Sequence, residues 1–310
     1  MRPFSPDDRT CSGVPSACWI EPLDVAGCLP LRKKDSHKGD FGKVLLLAGS
    51  EGMCGAAVLA ARAALRAGCG LLTVASSREN RQILQVSVPE ALFCANEDMD
   101  WKTLRSYDAI GIGCGWGRSE ESLLLLKNVL RFAGSPLVVD ADGLNLLAEN
   151  PTLLEFLPEG KTVLTPHRKE FERLAGKFSD KEEMMAMQQE FSNRHGVVVV
   201  LKGAHTSITV PAPLGKVNPI LINPTGNPGM ATGGTGDVLT GILASLLGQG
   251  LPASKAAYAA VYLHGLAGDL AAEGLGEYSL IAGDVTDHLP QAFLAVRDYA
   301  AGKGQGEAGA

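Results

Sequence analysis

A glycine-rich stretch in the last third of the chain contains the residues best suited to chemistry. In NPTGNPGMATGGTGD, residues 223–237, five glycines precede Asp237 and an apolar run follows at once. A helix that begins there offers unpaired backbone N–H groups and the positive end of its dipole. Glycines let the backbone approach phosphate oxygens closely. We therefore predict an anion hole formed by the five residues before the aspartate: Thr232, Gly233, Gly234, Thr235 and Gly236.

Asp237 lies on the boundary between the glycines and the apolar run. Taken alone, it is also compatible with a role as an N-cap, because aspartate is favoured at helix starts. The stretch is not a Walker A loop, since no Lys-Ser/Thr pair follows its last glycine, and it does not match the dinucleotide-binding fingerprint. The other motifs of the chain must decide between a cap and a functional carboxylate.

Three further motifs follow predicted strands. KGAHT, residues 202–206, follows the run VVVVL. Its lysine is suited to binding a phosphate, because it carries a compact charge; alternatively, it is simply a solvent-exposed lysine at a strand end. TPHRKEF places His167 three residues before Glu170 at a predicted helix start, where an acid also suits the helix dipole. DADGLNLL puts Asp140 and Asp142 at a strand end, the edge at which open α/β sheets bind ligands. These two acids are candidates to orient magnesium-bound water or the substrate, and Asp142 is also a candidate helix cap; we assign them no catalytic role.

Short apolar runs alternate with longer segments of helical pattern from Lys43 onward. The runs are KVLLLAG, GLLTVAS, DAIGIG, PLVVDAD, TVLTP and VVVVLKG. Uninterrupted apolar runs of this length are typical of parallel strands buried on both faces. The segments between them are long enough for crossover helices: residues 54–68, 119–131, 171–176 and 180–195. This alternation predicts a doubly wound, mostly parallel α/β sheet flanked by helices in three layers.

Three helical segments follow Gly236 in succession, and we expect them to close one side of the sheet. They span residues 237–250, 252–274 and 284–302. Periodicity is weak in residues 1–30, which we interpret as an N-terminal extension. Residues 301–310 have the composition of a flexible C-terminal tail.

Charge and cysteine content exclude several classes of function. The formal net charge is −6, which argues against nucleic acid binding, because such proteins carry a basic face. Seven scattered cysteines without CxxC spacing suggest neither a disulfide framework nor a zinc site. No apolar run approaches the ~20 residues that span a bilayer, and the N-terminus lacks a secretory signal. We therefore expect a cytoplasmic protein that binds neither nucleic acid nor membrane.

Taken together, the motifs resemble those of one known family. GNPGMATGGTGDVLTG is similar to the signature of ribokinase-like proteins and, in this longer form, to that of the ADP- or ATP-dependent NAD(P)H-hydrate dehydratases. Five further segments agree with that branch: residues 37–74, GIGCGWG, VVDADGLNLL, LTPHRKEFERL and VLKGAHTSI. The resemblance covers about residues 31–300, which we interpret as one ribokinase-like NAD(P)H-hydrate dehydratase domain.

The resemblance implies a repair reaction on nicotinamide nucleotides. Members of this branch remove water from the S epimer of hydrated NADH or NADPH, with ADP or ATP as phosphoryl donor. Hydroxide is a poor leaving group, because its conjugate acid, water, has a pKa of about 15.7. Phosphorylation of the C6 hydroxyl turns it into a phosphate that leaves easily, and the ring nitrogen then expels it.

The same resemblance implies roles for particular residues. Asp237 becomes the catalytic base that takes the hydroxyl proton during phosphoryl transfer, and the glycine-rich stretch holds the phosphoryl group. The adenine nucleotide corresponds to Lys202, Gly203, Ala204, His205, Thr206 and Gly236. The hydrated cofactor corresponds to Ala56, Gly115, His167 and Asp237. Magnesium is expected because phosphoryl transfer needs its charge neutralised; Glu170 with water is a candidate ligand, and the other metal ligands stay unassigned.

Two other functions share parts of this pattern. A ribokinase-like kinase of a vitamin alcohol would use the same aspartate and anion hole, but it would carry Asn in place of His167 and a different start motif. A nucleotide-binding sensor on the same fold predicts a lost base or interrupted glycines, whereas Asp237 and GGTG are intact. We therefore prefer the dehydratase.

The resemblance also implies partners. In related two-domain proteins an epimerase precedes this domain, whereas only about 30 residues precede it here, below the ~40 at which unaided domains become rare. We therefore expect a separate epimerase as functional partner. Family members commonly form homo-oligomers, often tetramers, and AAYAAVYLHGLAGDLAA is compatible with an interface or with a buried core helix. The residues themselves do not choose between ADP and ATP; bacterial-type members of the family resemble ADP users, and on the resemblance alone we expect ADP.

Overall fold

A ten-stranded sheet forms the centre of the structure, a computed structural model that describes residues 16–213 and 216–306. Its order is β1-β10-β9-β8-β7-β6-β5-β2-β3-β4, and among the described strands β9 alone runs antiparallel to its neighbours. The strands are β1 (Ala17–Trp19), β2 (Lys43–Leu47), β3 (Leu71–Ser76), β4 (Leu92–Ala95), β5 (Ala109–Ile112), β6 (Leu137–Val139), β7 (Thr162–Leu164), β8 (Val198–Leu201), β9 (Ser207–Thr209) and β10 (Ile220–Ile222).

Helices cover both faces of this sheet. They are α1 (Pro22–Cys28), α2 (Cys54–Arg66), α3 (Arg81–Ser87), α4 (Glu120–Phe132), α5 (Ala141–Glu149), α6 (Arg168–Ala175), α7 (Lys181–His195), α8 (Thr235–Gly248), α9 (Ala253–Leu275) and α10 (Ala282–Gly306). The core on one face contains side chains of α1, α2, α3, α8, α9 and α10, and the core on the other face contains those of α4 to α7. The predicted three-layer, doubly wound α/β fold is confirmed.

Strand β2 shows why the predicted strands are uninterrupted apolar runs. Val44 and Leu46 belong to the core on the α8 face, whereas Leu45 and Leu47 belong to the core on the α4 face. Successive side chains of a strand point to opposite faces, so a strand covered by helices on both sides needs an apolar residue at every position.

The segments that flank the predicted domain also join the fold. β1 pairs in parallel with β10, and α1 packs against α9 and α10. Residues 301–306 continue α10. Residues 1–15 of the predicted extension and residues 307–310 of the predicted tail lie outside the described residues. The division of the chain at residues 30 and 300 stays a prediction.

The apolar segment considered for an oligomer interface is a core helix of this chain. It forms the middle of α9, where Ala257, Ala260, Leu263 and Ala267 have no exposed surface. It packs against α8 and α10. A homo-oligomer therefore stays a prediction without support from this segment. Within the described part of the chain, no helix has the length and apolarity needed to cross a membrane.

Candidate active site

A cleft of about 810 Å³ opens at the carboxyl ends of three neighbouring strands. Asp140 follows β6, His167 lies beyond the end of β7 and Lys202 follows β8, and all three line the cleft. The first turn of α8 lines it as well. Pockets of about 300–1,000 Å³ are typical of small-molecule sites, so this cleft has room for a nucleotide.

The first turn of α8 presents its backbone to the cleft. Gly234 is the N-cap, with φ of 95°, and no side chain caps this helix end. Its positive φ is a conformation that favours glycine, and a Cβ on Gly234 would lie 2.5 Å from Cδ1 of Leu59, which would have to shift. Oγ1 of Thr235 donates to the carbonyls of Met230 and Thr232, at 3.1 and 3.0 Å. These bonds hold the preceding loop against a helix start whose N–H groups suit an anion.

The position of α8 is set by a close crossing with α2. A Cβ on Gly241 would lie only 2.1 Å from the carbonyl oxygen of Ala60. Glycine at this position lets the two backbones touch, and the core on this face closes around the contact. The helix that begins at the predicted anion hole is therefore held in place by this crossing, which suits a preorganised site.

Asp237 is the third residue of α8 and lines the cleft. It is therefore not the N-cap, which is Gly234. Burial and the nearby charge of Asp140 raise the pKa of Asp237 from its ordinary value of 3.8 to about 6, although Cys114 and Lys202 act in the opposite direction. A carboxyl with a pKa close to neutral pH is suited to general base catalysis.

An ion pair between buried Asp140 and partly buried Lys202 lies beside this carboxyl. Asp140 is 1% exposed, and its Oδ1 accepts a hydrogen bond from Nζ of Lys202 at 2.7 Å. Its Oδ2 accepts one from Oγ1 of Thr240 at 2.9 Å. Burial acts to lower the pKa of Lys202, but the charges of Asp140 and Glu170 outweigh it and raise the pKa above its usual range. Lys202 is therefore an ammonium ion at neutral pH.

His167 and Glu170 cap the start of α6 reciprocally. Nδ1 of His167 accepts from the backbone N–H of Glu170 at 3.2 Å, and Oε2 of Glu170 accepts from the N–H of His167 at 2.8 Å. In the neutral imidazole the proton therefore resides on Nε2. Burial raises the pKa of Glu170, and the charge of Lys202 offsets part of this effect. The two residues thus have a structural role that leaves both of them on the cleft wall.

The segment after β8 places most of the predicted nucleotide residues in the cleft. Gly203, Ala204 and Thr206 line it, and Oγ1 of Thr206 donates to the carbonyl of Gly203 at 3.2 Å. His205 is not part of the lining; its ring lies edge-on to that of Trp19, with 5.6 Å between the centroids. The predicted role of His205 thus depends on the backbone rather than on a side chain in the cleft.

Ala56 and Gly115 lie beside each other but outside the cleft lining. A Cβ on Gly115 would lie 2.9 Å from Cβ of Ala56, and Gly115 has φ of 61°. The pair lies beyond the carboxyl ends of β2 and β5, where the chain reverses its direction of winding. Open α/β sheets bind ligands at such a switch point.

Gly233 is also outside the cleft lining, and a Cβ added to it would have no neighbour within 4 Å.

His264 and Thr240 are among the residues of the site that were missed in the sequence. His264 of α9 lines the cleft, and its Nε2 lies 2.9 Å from the carbonyl oxygen of Thr235. Burial lowers the pKa of His264 to about 4, so the ring is neutral. The sequence does not indicate that His264 belongs to the site, because it is a lone histidine in an apolar helix. It does place Thr240 near Asp237, because Thr240 follows three residues later and residues at this spacing share a helix face.

The sequence as a whole matches one known family. A family model described as NAD(P)H-hydrate dehydratase matches residues 44–291. The chain belongs to the NAD(P)H-hydrate dehydratase family. It is 42% identical over 285 residues to the bifunctional NAD(P)H-hydrate repair enzyme of Moorella thermoacetica, and the match covers 86% of this chain and 53% of that relative. The chain thus spans about half the length of such bifunctional relatives.

Single-function relatives match over nearly their whole length. The ADP-dependent (S)-NAD(P)H-hydrate dehydratase of Bacillus subtilis is 34% identical over 282 residues, which is 89% of this chain and 97% of that protein. A solved Bacillus subtilis ADP/ATP-dependent NAD(P)H-hydrate dehydratase, co-crystallised with ATP/Mg2+, has a TM-score of 0.75 at 31% identity and covers 92% of this chain and 100% of its own. A ribokinase-like superfamily protein of Enterococcus faecalis has a TM-score of 0.82 at 30% identity, over 90% of this chain and 96% of its own. The predicted family and the ribokinase-like fold are confirmed.

Proposed function

We propose that this chain returns hydrated NADH and NADPH to NADH and NADPH, using ADP or ATP as phosphoryl donor. The observation that carries the proposal is the first turn of α8, where Asp237 follows uncapped backbone N–H groups at the edge of the cleft. Family membership supplies the substrate class. The relatives named ADP-dependent (S)-NAD(P)H-hydrate dehydratases support the S epimer as substrate and ADP as a donor.

Asp237 would accept the proton of the C6 hydroxyl as the phosphoryl group is transferred. A carboxylate with a pKa of about 6 is too weak a base to ionise an alcohol beforehand, so proton removal accompanies charge development on the oxygens. The N–H groups of residues 232–236 would hold the phosphoryl oxygens. Removal of one such donor from an enzyme raises the barrier by about 2.7–4 kcal/mol. Lys202 would add a positive charge beside them.

The donor nucleotide would lie along the cleft wall formed by residues 202–206, with Gly236 at its phosphate end. The hydrated nicotinamide would approach from the other side, past Ala56 and Gly115. Asp237 supports this arrangement, because it lines the cleft while Cys114, the neighbour of Gly115, lies close enough to affect its pKa. His167, whose Nε2 lies 3.4 Å from Oε1 of Glu170, would line the substrate side of the cleft.

The donor groups of the cleft fit a magnesium ion held mainly by phosphate and water. Among the described residues, no three His, Cys, Asp or Glu side chains converge on a metal position. Magnesium commonly binds one or two carboxylates together with substrate phosphates and waters, and the carboxylate of Glu170 lines the cleft. The ion would neutralise phosphate charge during the transfer.

The cellular setting is proposed on similar grounds. The cysteines of the described residues are all free thiols, namely Cys18, Cys28, Cys54, Cys69, Cys94 and Cys114, which fits the reducing cytoplasm. The bifunctional names of relatives twice as long support an epimerase as functional partner. We retain a homotetramer as the assembly to test by light scattering, and a monomer at working concentration would rule it out.

The test is restoration of hydrated NADH. The purified protein is incubated with chemically hydrated NADH, magnesium and either ADP or ATP, and the absorbance of the dihydronicotinamide is followed. Asp237→Asn is the inactive variant. Asp284→Asn, which changes the corresponding third residue of α10, is the matched control and is expected to retain activity. Recovery that requires a nucleotide and disappears only in Asp237→Asn supports the proposal. No recovery with either nucleotide contradicts it and favours a kinase, which a panel of vitamin alcohols would then reveal.

A further inference from the structure

The carboxylate of Asp140 has no part in the reaction above, yet it lies at the centre of the site. It connects side chains from three elements, because Asp140 follows β6, Lys202 follows β8 and Thr240 belongs to α8. Asp140 and Thr240 are each 1% exposed. One buried carboxylate thus links the ammonium ion of the cleft to the helix that carries Asp237.

Gly236 shows where this link lies relative to the anion hole. A Cβ on Gly236 would lie 3.4 Å from Nζ of Lys202 and 3.5 Å from Oδ2 of Asp140. The ion pair therefore lies against the first turn of α8. A phosphate bound to the N–H groups of that turn would have the ammonium ion of Lys202 beside it.

The backbone around Asp140 is held in an unusual conformation. Ala141 has φ of 47° and is, within residues 16–213 and 216–306, the one non-glycine residue with positive φ. The backbone of Asp140 also packs directly on Gly113, where a Cβ would lie 2.0 Å from the carbonyl oxygen of Asp140. Strained conformations of this kind persist only where the surrounding structure imposes them, and they concentrate at functional sites. The fold thus fixes the place of this carboxylate.

We propose that Asp140 is a positioning residue that holds the ammonium ion of Lys202 beside the anion hole and, through Thr240, in a fixed relation to α8. A lysine without a partner is a mobile point charge on a flexible stem. A partner that fixes it in the free protein reduces the ordering needed when a phosphate binds. The catalytic consequence rests on the proposed function, whereas the ion pair itself is a property of the free protein.

The ion pair is tested by the reactivity of Lys202 in Asp140→Asn. The titratable groups that face this lysine are the carboxylates of Asp140, Glu170 and Asp237, the thiol of Cys114 and the imidazole of His264. Loss of the Asp140 charge lets burial lower the pKa of Lys202, so its neutral amine becomes more abundant, by about tenfold for each pKa unit. Acetylation of Lys202 by an N-hydroxysuccinimide ester is therefore expected to become faster. Peptide mass spectrometry measures its rate relative to the acetylation rate of Lys181, which is exposed. An unchanged relative rate overturns the proposal.

The catalytic consequence is tested by Thr240→Val, with Thr165→Val as the matched control. Thr165 is fully buried and its Oγ1 donates to the carbonyl of Val139, so both variants lose one buried hydroxyl. Thr240→Val is expected to reduce kcat for hydrated NADH about tenfold through misplacement of Lys202, whereas Thr165→Val stays within about twofold. Equal losses in both variants overturn the proposal. Absence of activity in the wild-type protein refutes the proposed function instead, and the acetylation result still decides whether Asp140 holds Lys202.

Discussion

Replacing Asp237 with Asn is expected to abolish activity and, at the same time, to stabilise the folded protein. The carboxyl is partly buried beside Asp140, which raises its pKa from 3.8 to about 6. The folded state therefore binds this proton more tightly than the unfolded state does. As pH rises through this interval the wild-type protein loses stability, because the folded state must give up a proton that the unfolded state has already lost.

The size of the effect follows from the shift in pKa. One pKa unit corresponds to about 1.36 kcal/mol, so the charged form of Asp237 costs the folded protein about 3 kcal/mol once pH is well above 6. Asn carries no charge at any pH and avoids this cost. The gain of Asp237→Asn in the free energy of unfolding is thus about 3 kcal/mol at about pH 8 and about 1 kcal/mol at about pH 4.5, and it vanishes below the unfolded pKa.

Urea unfolding at both pH values measures this gain. For a domain of this size, 3 kcal/mol moves the midpoint by about 1 M. Asp284→Asn is the control, because Asp284 is also the third residue of its helix and accepts from the backbone N–H of Ile281 at 2.9 Å. It is expected to lose up to about 1 kcal/mol, since an acid at a helix start is stabilising. The reasoning is refuted if Asp237→Asn is no more stable than the wild type at pH 8, or if its gain does not shrink on acidification.

Three further predictions concern the site and the core. The single-turnover rate of the proposed reaction is expected to rise as pH increases through about 6, because only ionised Asp237 accepts a proton; a flat profile between about pH 5 and 8 contradicts this role. Gly234→Ala is expected to lose at least about 1 kcal/mol of unfolding free energy, because Gly234 has φ of 95° and an added methyl group would contact Leu59. Gly233→Ala is the control: there is space for a methyl group at Gly233, so this variant is expected to unfold like the wild type in urea. Gln188→Leu removes the donor to the carbonyls of Val199 and Ser207, and a loss of about 3 kcal/mol is expected in the same assay; a loss below about 1 kcal/mol would mean that these carbonyls find other partners.

The sequence predicts the strands that helices bury on both faces, but not the short strands at the margins of the sheet. β2, β3 and β5 to β8 are evident because they lie in uninterrupted apolar runs. β1, β9 and β10 contain three residues each, ACW, SIT and ILI. β6 and β7 are equally short, but they belong to the regular alternation of strands and helices. β1, β9 and β10 lie outside that alternation and are defined by their pairing, for example that of Trp19 with Ile222. Such pairing over a long separation in sequence is a tertiary effect.

The same limit applies to the site. The glycines and Asp237 form one continuous motif, so their common location at a helix start follows from the sequence. The contacts of Asp140 do not, because Lys202 is 62 residues away in sequence and Thr240 is 100 residues away. A strand-end aspartate was evident, but its partners depend on the order of β6, β7 and β8 in the sheet, which no local pattern encodes.

The charges of the cleft also constrain how it can bind a nucleotide. Its lining contains the acids Asp140, Glu170 and Asp237 and, among the described residues, one lysine, Lys202. Asp140 already neutralises that lysine, so a diphosphate would enter a site with an excess of negative charge. Two features reduce the repulsion: burial raises the pKa values of Glu170 and Asp237, and the uncapped start of α8 contributes a partial positive charge. Phosphate binding is therefore expected to be accompanied by the uptake of a proton or by the binding of a cation. Calorimetry distinguishes these two alternatives when ADP binding is measured in buffers of different ionisation enthalpy, with and without magnesium.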